Sequence, residues 1–348
     1  MNISEDEDAG QIDEKTEEDE PEIIALNGSR IAAYYGVSFI TIQGFIESIT
    51  SKTRMKKLLE ILSSAYELEA IPIRNHEDLL LSRIYNGLPV KFSSRANFES
   101  PAFKCFVLLQ AHFSRLNLPP DLNNDLKFIL SKIMNLVYAM VDVISSEGLL
   151  NVIDAMDLSQ MIVQGMWSSE SPLKQIPYFD EDVLSKCDEL KLETVYDFIA
   201  VDDKESIIED LTEKQQNKAA DFVNNYPNLE LSYNLNLDDP IVVNEPKDIV
   251  INIERDEELD SPYVTSVSFP FNKSENWWII VGDQNAKQLY AIKKLTITKL
   301  SQQVKLSFTV PDAGVHDITV WCICDSYIDA DKQIVIKEVN VASGSESH

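Results

Sequence analysis

The sequence predicts a multidomain α plus β chain, helical through its first half and β-rich over its last third. Two observations carry that prediction. Apolar residues recur every three or four positions up to about Trp167, then every second position after Tyr226-Pro227. Prolines 72, 89, 101, 119 and 120 fall between the helical runs, where a residue without an amide proton starts or stops a helix. A length of 348 residues, against about 100–150 for an ordinary domain, leaves room for two or three modules.

The modules follow in order. Residues 1–22 read as a disordered acidic linker: between Glu5 and Glu22 stand eleven acidic side chains and one lysine, a run that repels itself and has nothing apolar to bury. Residues 23–167 read as a helical bundle. Stripes such as Met55, Leu58, Leu59, Leu62 and Tyr66, or Leu126, Ile129, Ile133, Val137, Met140 and Ile144, must bury against one another, and Ser38 or Thr41 can cap an early helix. Residues 168–227 read as a linker and a helix–loop–helix, with apolar patterns at 183–190 and 207–223. Residues 228–341 hold strand-like runs at 229–237, 247–253, 264–270, 276–282, 288–298, 303–310, 315–325 and 332–341. Seven or eight strands in so short a span predict an immunoglobulin/fibronectin type III-like β-sandwich. Residues 342–348 are left as a tail.

Composition excludes several functions. The net charge is −28, and removing the ten net charges of the acidic run still leaves −18 on the other 326 residues, a poor surface for phosphate backbones. No G-x-x-x-x-G-K-[ST] loop, H-E-x-x-H or G-x-S-x-G motif is present, so neither a triphosphate nor a catalytic zinc or serine has a visible home. No enzyme activity, cofactor or metal site is expected. Cys322 and Cys324 share one strand face without a second ligand pair, and Cys105 sits in an apolar helical pattern. His112 lies on an apolar stripe and reads as a packed, hydrogen-bonded core residue. Trp277 and Trp278 must face opposite sides of a strand. One indole is expected in the core, while Trp278 is either covered within the chain or an anchor for a partner.

Nine stretches in order resemble the Sec-sixty-three homology unit, found after the motor domains of certain large helicases. They include SRIAAYYGVSFITIQGF (29–45), LLEILSSAYELEAIPIRNHED (58–78), MDLSQMIVQGMW (156–167), PLKQIPYF (172–179), WWIIVGD (277–283) and CDSYIDADKQ (324–333). The likeness is greatest to the carboxy-terminal unit of a large spliceosomal DExH RNA helicase. In that family the unit is a helical bundle, a helix–loop–helix and a fibronectin-like sandwich. The resemblance implies a non-catalytic protein-interaction and regulatory platform in pre-mRNA splicing, nuclear, whose partners are spliceosomal proteins and the parent helicase's own motor domains. Membrane and DNA contacts are not expected, and RNA binding is expected to be weak or absent. Two alternatives are single-strand RNA tracking and a role in endoplasmic-reticulum translocation. Tracking would rest on the helix at 156–167, which resembles the family's ratchet helix. Its polar positions Asp157, Gln160 and Gln164 are thus candidate interaction residues, but they include no arginine. Tyr178 stands where the family usually carries histidine.

Overall fold

The computed structural model describes residues 27–259 and 261–343; the acidic run at 5–22 and the end of the tail lie outside the described residues. Seven helices come first: α1 (Asn27–Tyr35), α2 (Phe39–Ser48), α3 (Met55–Ser63), α4 (Asp78–Gly87), α5 (Pro101–Phe113), α6 (Pro120–Ser146) and α7 (Val152–Gln164). Their boundaries follow from local chemistry. Ser38 caps α2, accepting from the Ile40 amide, and Ser100 accepts from Phe103 at the start of α5. Pro101 and Pro120 stand at the first helical position, where the missing amide proton costs nothing.

The centre of this half is α6, 27 residues long and so about 40 Å at 1.5 Å per residue. By length and composition it could cross a bilayer, yet thirteen of its side chains are buried against α1, α2, α5 and α7. It is a core helix here. Next to it, α7 buries all but Ile153, Asp154 and Asp157. Gly165 ends α7 with φ +55°, and a Cβ there would stand 2.4 Å from that of Ser268, so both conformation and close approach require glycine.

The second module departs from the expected helix–loop–helix. It consists of four short helices: α8 (Glu181–Glu189), α9 (Val195–Ala200), α10 (Lys204–Ile208) and α11 (Glu213–Asn225). The apolar pattern at 207–223 is broken because Thr212 opens a new helix, its amide and hydroxyl both donating to Gln215 Oε1, while Thr194 and Asp197 form a reciprocal capping box for α9.

Eight strands follow: β1 (Leu229–Asn234), β2 (Ile241–Val242), β3 (Lys247–Arg255), β4 (Trp277–Asp283), β5 (Gln288–Leu295), β6 (Ser301–Phe308), β7 (Gly314–Cys324) and β8 (Lys332–Ala342). They form a three-stranded sheet, β1-β3-β6, and a five-stranded one, β2-β8-β7-β4-β5, antiparallel except where β2 meets β8. Alternate residues of β3 (Ile249, Ile251, Ile253), β4 (Trp277, Ile279, Val281) and β7 (Ile318, Val320, Cys322, Cys324) share one apolar cluster. The opposite face of β4 and β7, with Trp278, Ile280, Trp321 and Ile323, joins the core of the helical half. The middle of the large sheet, β4 and the later part of β7, is therefore buried on both sides.

One expected strand is absent. Residues 264–270 have strand composition, but their hydrogen bonds go elsewhere. The Thr265 amide donates to the Tyr327 hydroxyl, Ser266 Oγ donates to the Val163 carbonyl, and the Ser268 and Phe269 amides donate back to Ser266 Oγ. Backbone groups satisfied by a turn and by a helix terminus are not available for a ladder.

Candidate functional site

Two of the three polar side chains that sequence reading marks for recognition, Gln160 and Gln164, reach the loop between β7 and β8, residues 325–331. On α7, Gln160 and Gln164 are four apart and share a face. Both point inward. Gln160 Nε2 donates to the Cys324 carbonyl at 2.8 Å and to the Asp331 carboxylate at 3.0 and 3.1 Å, while Gln164 Nε2 donates to the Ser326 carbonyl at 2.7 Å. Ser159 Oγ donates to the Asp325 carbonyl at 2.7 Å. Gln160 and Gln164 are 4% and 1% exposed, so neither is free to touch a partner.

Other elements grip the same loop. Gln175 makes a two-way pair with the Ile328 backbone at 2.9 and 2.8 Å, and the Tyr226 hydroxyl donates to the Ile328 carbonyl at 2.7 Å. From α6, the Tyr138 hydroxyl donates to Asp325 Oδ2 at 2.7 Å. Lys273 Nζ lies 2.7 Å from the same oxygen and donates to Ser326 Oγ at 2.7 Å.

The two carboxylates that bracket the loop behave oppositely. Burial would push Asp325 up, but Lys273 and the hydrogen bonds of Lys273 and Ser326 outweigh it and hold the carboxyl below its usual range. Asp331 has no cation within ion-pair distance. Its burial, reinforced by Asp157 and Asp329 against the Cys324 and Gln160 hydrogen bonds, pushes the carboxyl up to about 7. Asp157, the one half-buried member of the α7 trio, is pushed up to about 6 by burial and by Asp154. The unburied strip of α7 thus presents Asp154 and Asp157, a surface that repels phosphate.

Trp278 is 1% exposed. Its indole meets the Tyr138 ring edge-on, centroids 5.9 Å apart, beneath Lys294. The alternation expected of the tryptophan pair holds, since Trp277 enters the cluster between the sheets, but the outward-facing anchor does not exist: helices cover it. His112 is the core histidine expected, donating Nε2–H to the Ile162 carbonyl at 2.8 Å, with burial lowering its pKa. All four cysteines are free and buried, and no cluster of metal-ligating side chains occurs among the described residues.

What the residues leave outside is apolar. On α1 and α2, Tyr34, Phe39, Ile40 and Ile46 are exposed, and Ile40 lines a cleft of about 250 Å³ together with the exposed Tyr66. The sequence signal was there: α2 carries five large apolar residues in ten, more than the face formed by Thr41, Ile42 and Phe45 can bury.

The Sec63 Brl domain profile matches residues 25–337. The chain belongs to the Sec63 Brl domain family. It is 40% identical over 321 residues to pre-mRNA-splicing factor brr2 of Schizosaccharomyces pombe, covering 90% of this chain and 14% of that protein. To the human U5 small nuclear ribonucleoprotein 200 kDa helicase it is 38% identical over 335 residues, 94% of this chain and 16% of the relative. To the DExH-box ATP-dependent RNA helicase DExH12 of Arabidopsis thaliana it is 38% identical over 324 residues, 91% and 15% respectively. The chain spans about a seventh of the length of these relatives.

Proposed function

We propose that this Sec63 Brl domain is a non-catalytic protein-interaction and regulatory platform of a spliceosomal RNA helicase. It would work in the nucleus, on spliceosomal proteins and on the helicase's own motor domains. The observation that carries this reading is the fate of the α7 amides. Gln160 and Gln164, which a strand-tracking helix would turn outward, are consumed by the β7–β8 loop, and the remaining polar strip is acidic. The exposed apolar face on α1 and α2 fits recognition of protein better than of RNA. The finer architecture belongs to the same proposal. With the short β2 set aside, the sheet orders β1-β3-β6 and β8-β7-β4-β5 agree with a fibronectin type III-like sandwich, and the helices before residue 167 act as a bundle.

The test uses the intact chain as bait in a nuclear splicing extract, beside a variant with Tyr34→Ser, Phe39→Ser and Ile40→Ser. The chain should enrich splicing proteins and the variant should lose them; an intact bait that recovers none would defeat the proposal. Single-stranded RNA at low micromolar protein should show no salt-sensitive binding, since a phosphate-driven contact weakens steeply as salt rises.

A further inference from the structure

In a chain of net charge −28, one cleft is lined by cations. It measures about 720 Å³ and lies where the helical half meets the sheets, between the loops at Ser51–Arg54 and Glu147–Leu149 and the start of β5. Lys52, Arg54 and Lys287 line it; all three are exposed, and none makes an ion pair among the described residues. Glu147 is its one carboxylate. From β5, Gln288 and Tyr290 complete the wall.

Three like charges around one hollow repel each other. A ligand bearing anionic oxygens relieves that repulsion. We propose that this cleft binds an extended segment of a partner protein in which carboxylates alternate with apolar residues. The proposal rests on the platform reading above and names the chemistry of one partner. A peptide supplies carboxylates for the three cations. Its apolar residues meet Leu149, Leu289 and Pro311 on the walls. A nucleic-acid strand offers no aliphatic side chain for those walls. It carries charge at every nucleotide, so beyond the cleft it would face an acidic body.

The test measures fluorescence anisotropy of a labelled peptide of alternating glutamate and leucine on the full chain, beside a glutamine–leucine counterpart and a uridine oligonucleotide. The glutamate peptide should bind, and raised salt should weaken it. The triple variant Lys52→Gln, Arg54→Gln, Lys287→Gln should bind it about tenfold more weakly, each exposed pair contributing a few-fold. Because all three residues are exposed, its thermal melt should match the parent's. Equal binding by the triple variant would overturn the proposal. So would equal affinity for the oligonucleotide, or binding that appears only after residues 1–22 are removed, which would make the chain's own acidic run the occupant. If the glutamate peptide fails while the chain still recovers splicing proteins, the cleft assignment falls and the platform reading stands.

Discussion

Two buried charge clusters in this molecule answer the same problem in different ways. Inside the helical half, Lys104 is fully buried and lies 2.7 Å from both Glu77 and Asp125, and Arg74 bonds the same two carboxylates at 2.5–2.9 Å. Two cations meet two anions. Burial alone would push Asp125 up, but Arg74 and Lys104 outweigh it and hold it below its usual range. At the β7–β8 loop the match is incomplete: Asp325 has Lys273, whereas Asp331 has only amide donors and so retains its proton to about pH 7. A carboxylate leaving water is stabilised by a cation or becomes neutral, and the choice decides whether the region responds to pH near neutrality. The helical cluster fixes a shape. The loop between β7 and β8 carries a titration.

The sharpest way to break this contrast is Lys104→Met. It leaves two buried carboxylates with Arg74 alone, and loss of one partner from a buried ion pair costs about 3–5 kcal/mol. Urea unfolding should show that loss as a lower midpoint with an unchanged slope. At the loop, Asp331→Asn should change the pH profile. An aspartate free in the unfolded chain ionises near 3.8, the folded one near 7. Between those values the folded state holds the extra proton, so stability falls as pH rises, by up to about 1.4 kcal/mol per pH unit for one proton. The asparagine variant should remove that slope between about pH 4 and 7 in melts across the range; an undiminished slope would show that Asp331 is not its source. The smallest effect is expected of Gln160→Leu. It deprives the Cys324 carbonyl and the Asp331 carboxyl of a donor, a cost of about 1–3 kcal/mol. Amide exchange should speed up over residues 324–331 while the surroundings of Lys104 stay protected.

Most of the elements could be read directly, because period and punctuation are local. The stripes of α3, α5 and α6 and the alternation of β3, β4 and β7 lie within a few residues of one another in the chain, as do the capping residues that bound them. What could not be read was distance. Residues 264–270 have the composition of a strand, and nothing nearby says that their hydrogen bonds run to Val163 and Tyr327. Gln160 and Gln164 look like the polar face of an accessible helix; their partners stand more than 160 positions further along. Trp278 obeyed the two-residue alternation, but its cover comes from Tyr138 on a helix far behind it. The cationic cleft was equally hidden, since Lys52, Arg54 and Lys287 form no run in the sequence and meet only through the packing of helices on sheet.

The grip on residues 325–331 bears on how this chain tolerates being shortened. A boundary near Pro227 is plausible by composition, but a fragment ending there would open Ser159, Gln160, Gln164, Gln175 and Tyr226 at once, each deprived of its acceptor or donor. A truncation anywhere before residue 325 would do likewise. Residues 325–331 thus act as the lock on helices up to nearly two hundred positions earlier in the chain.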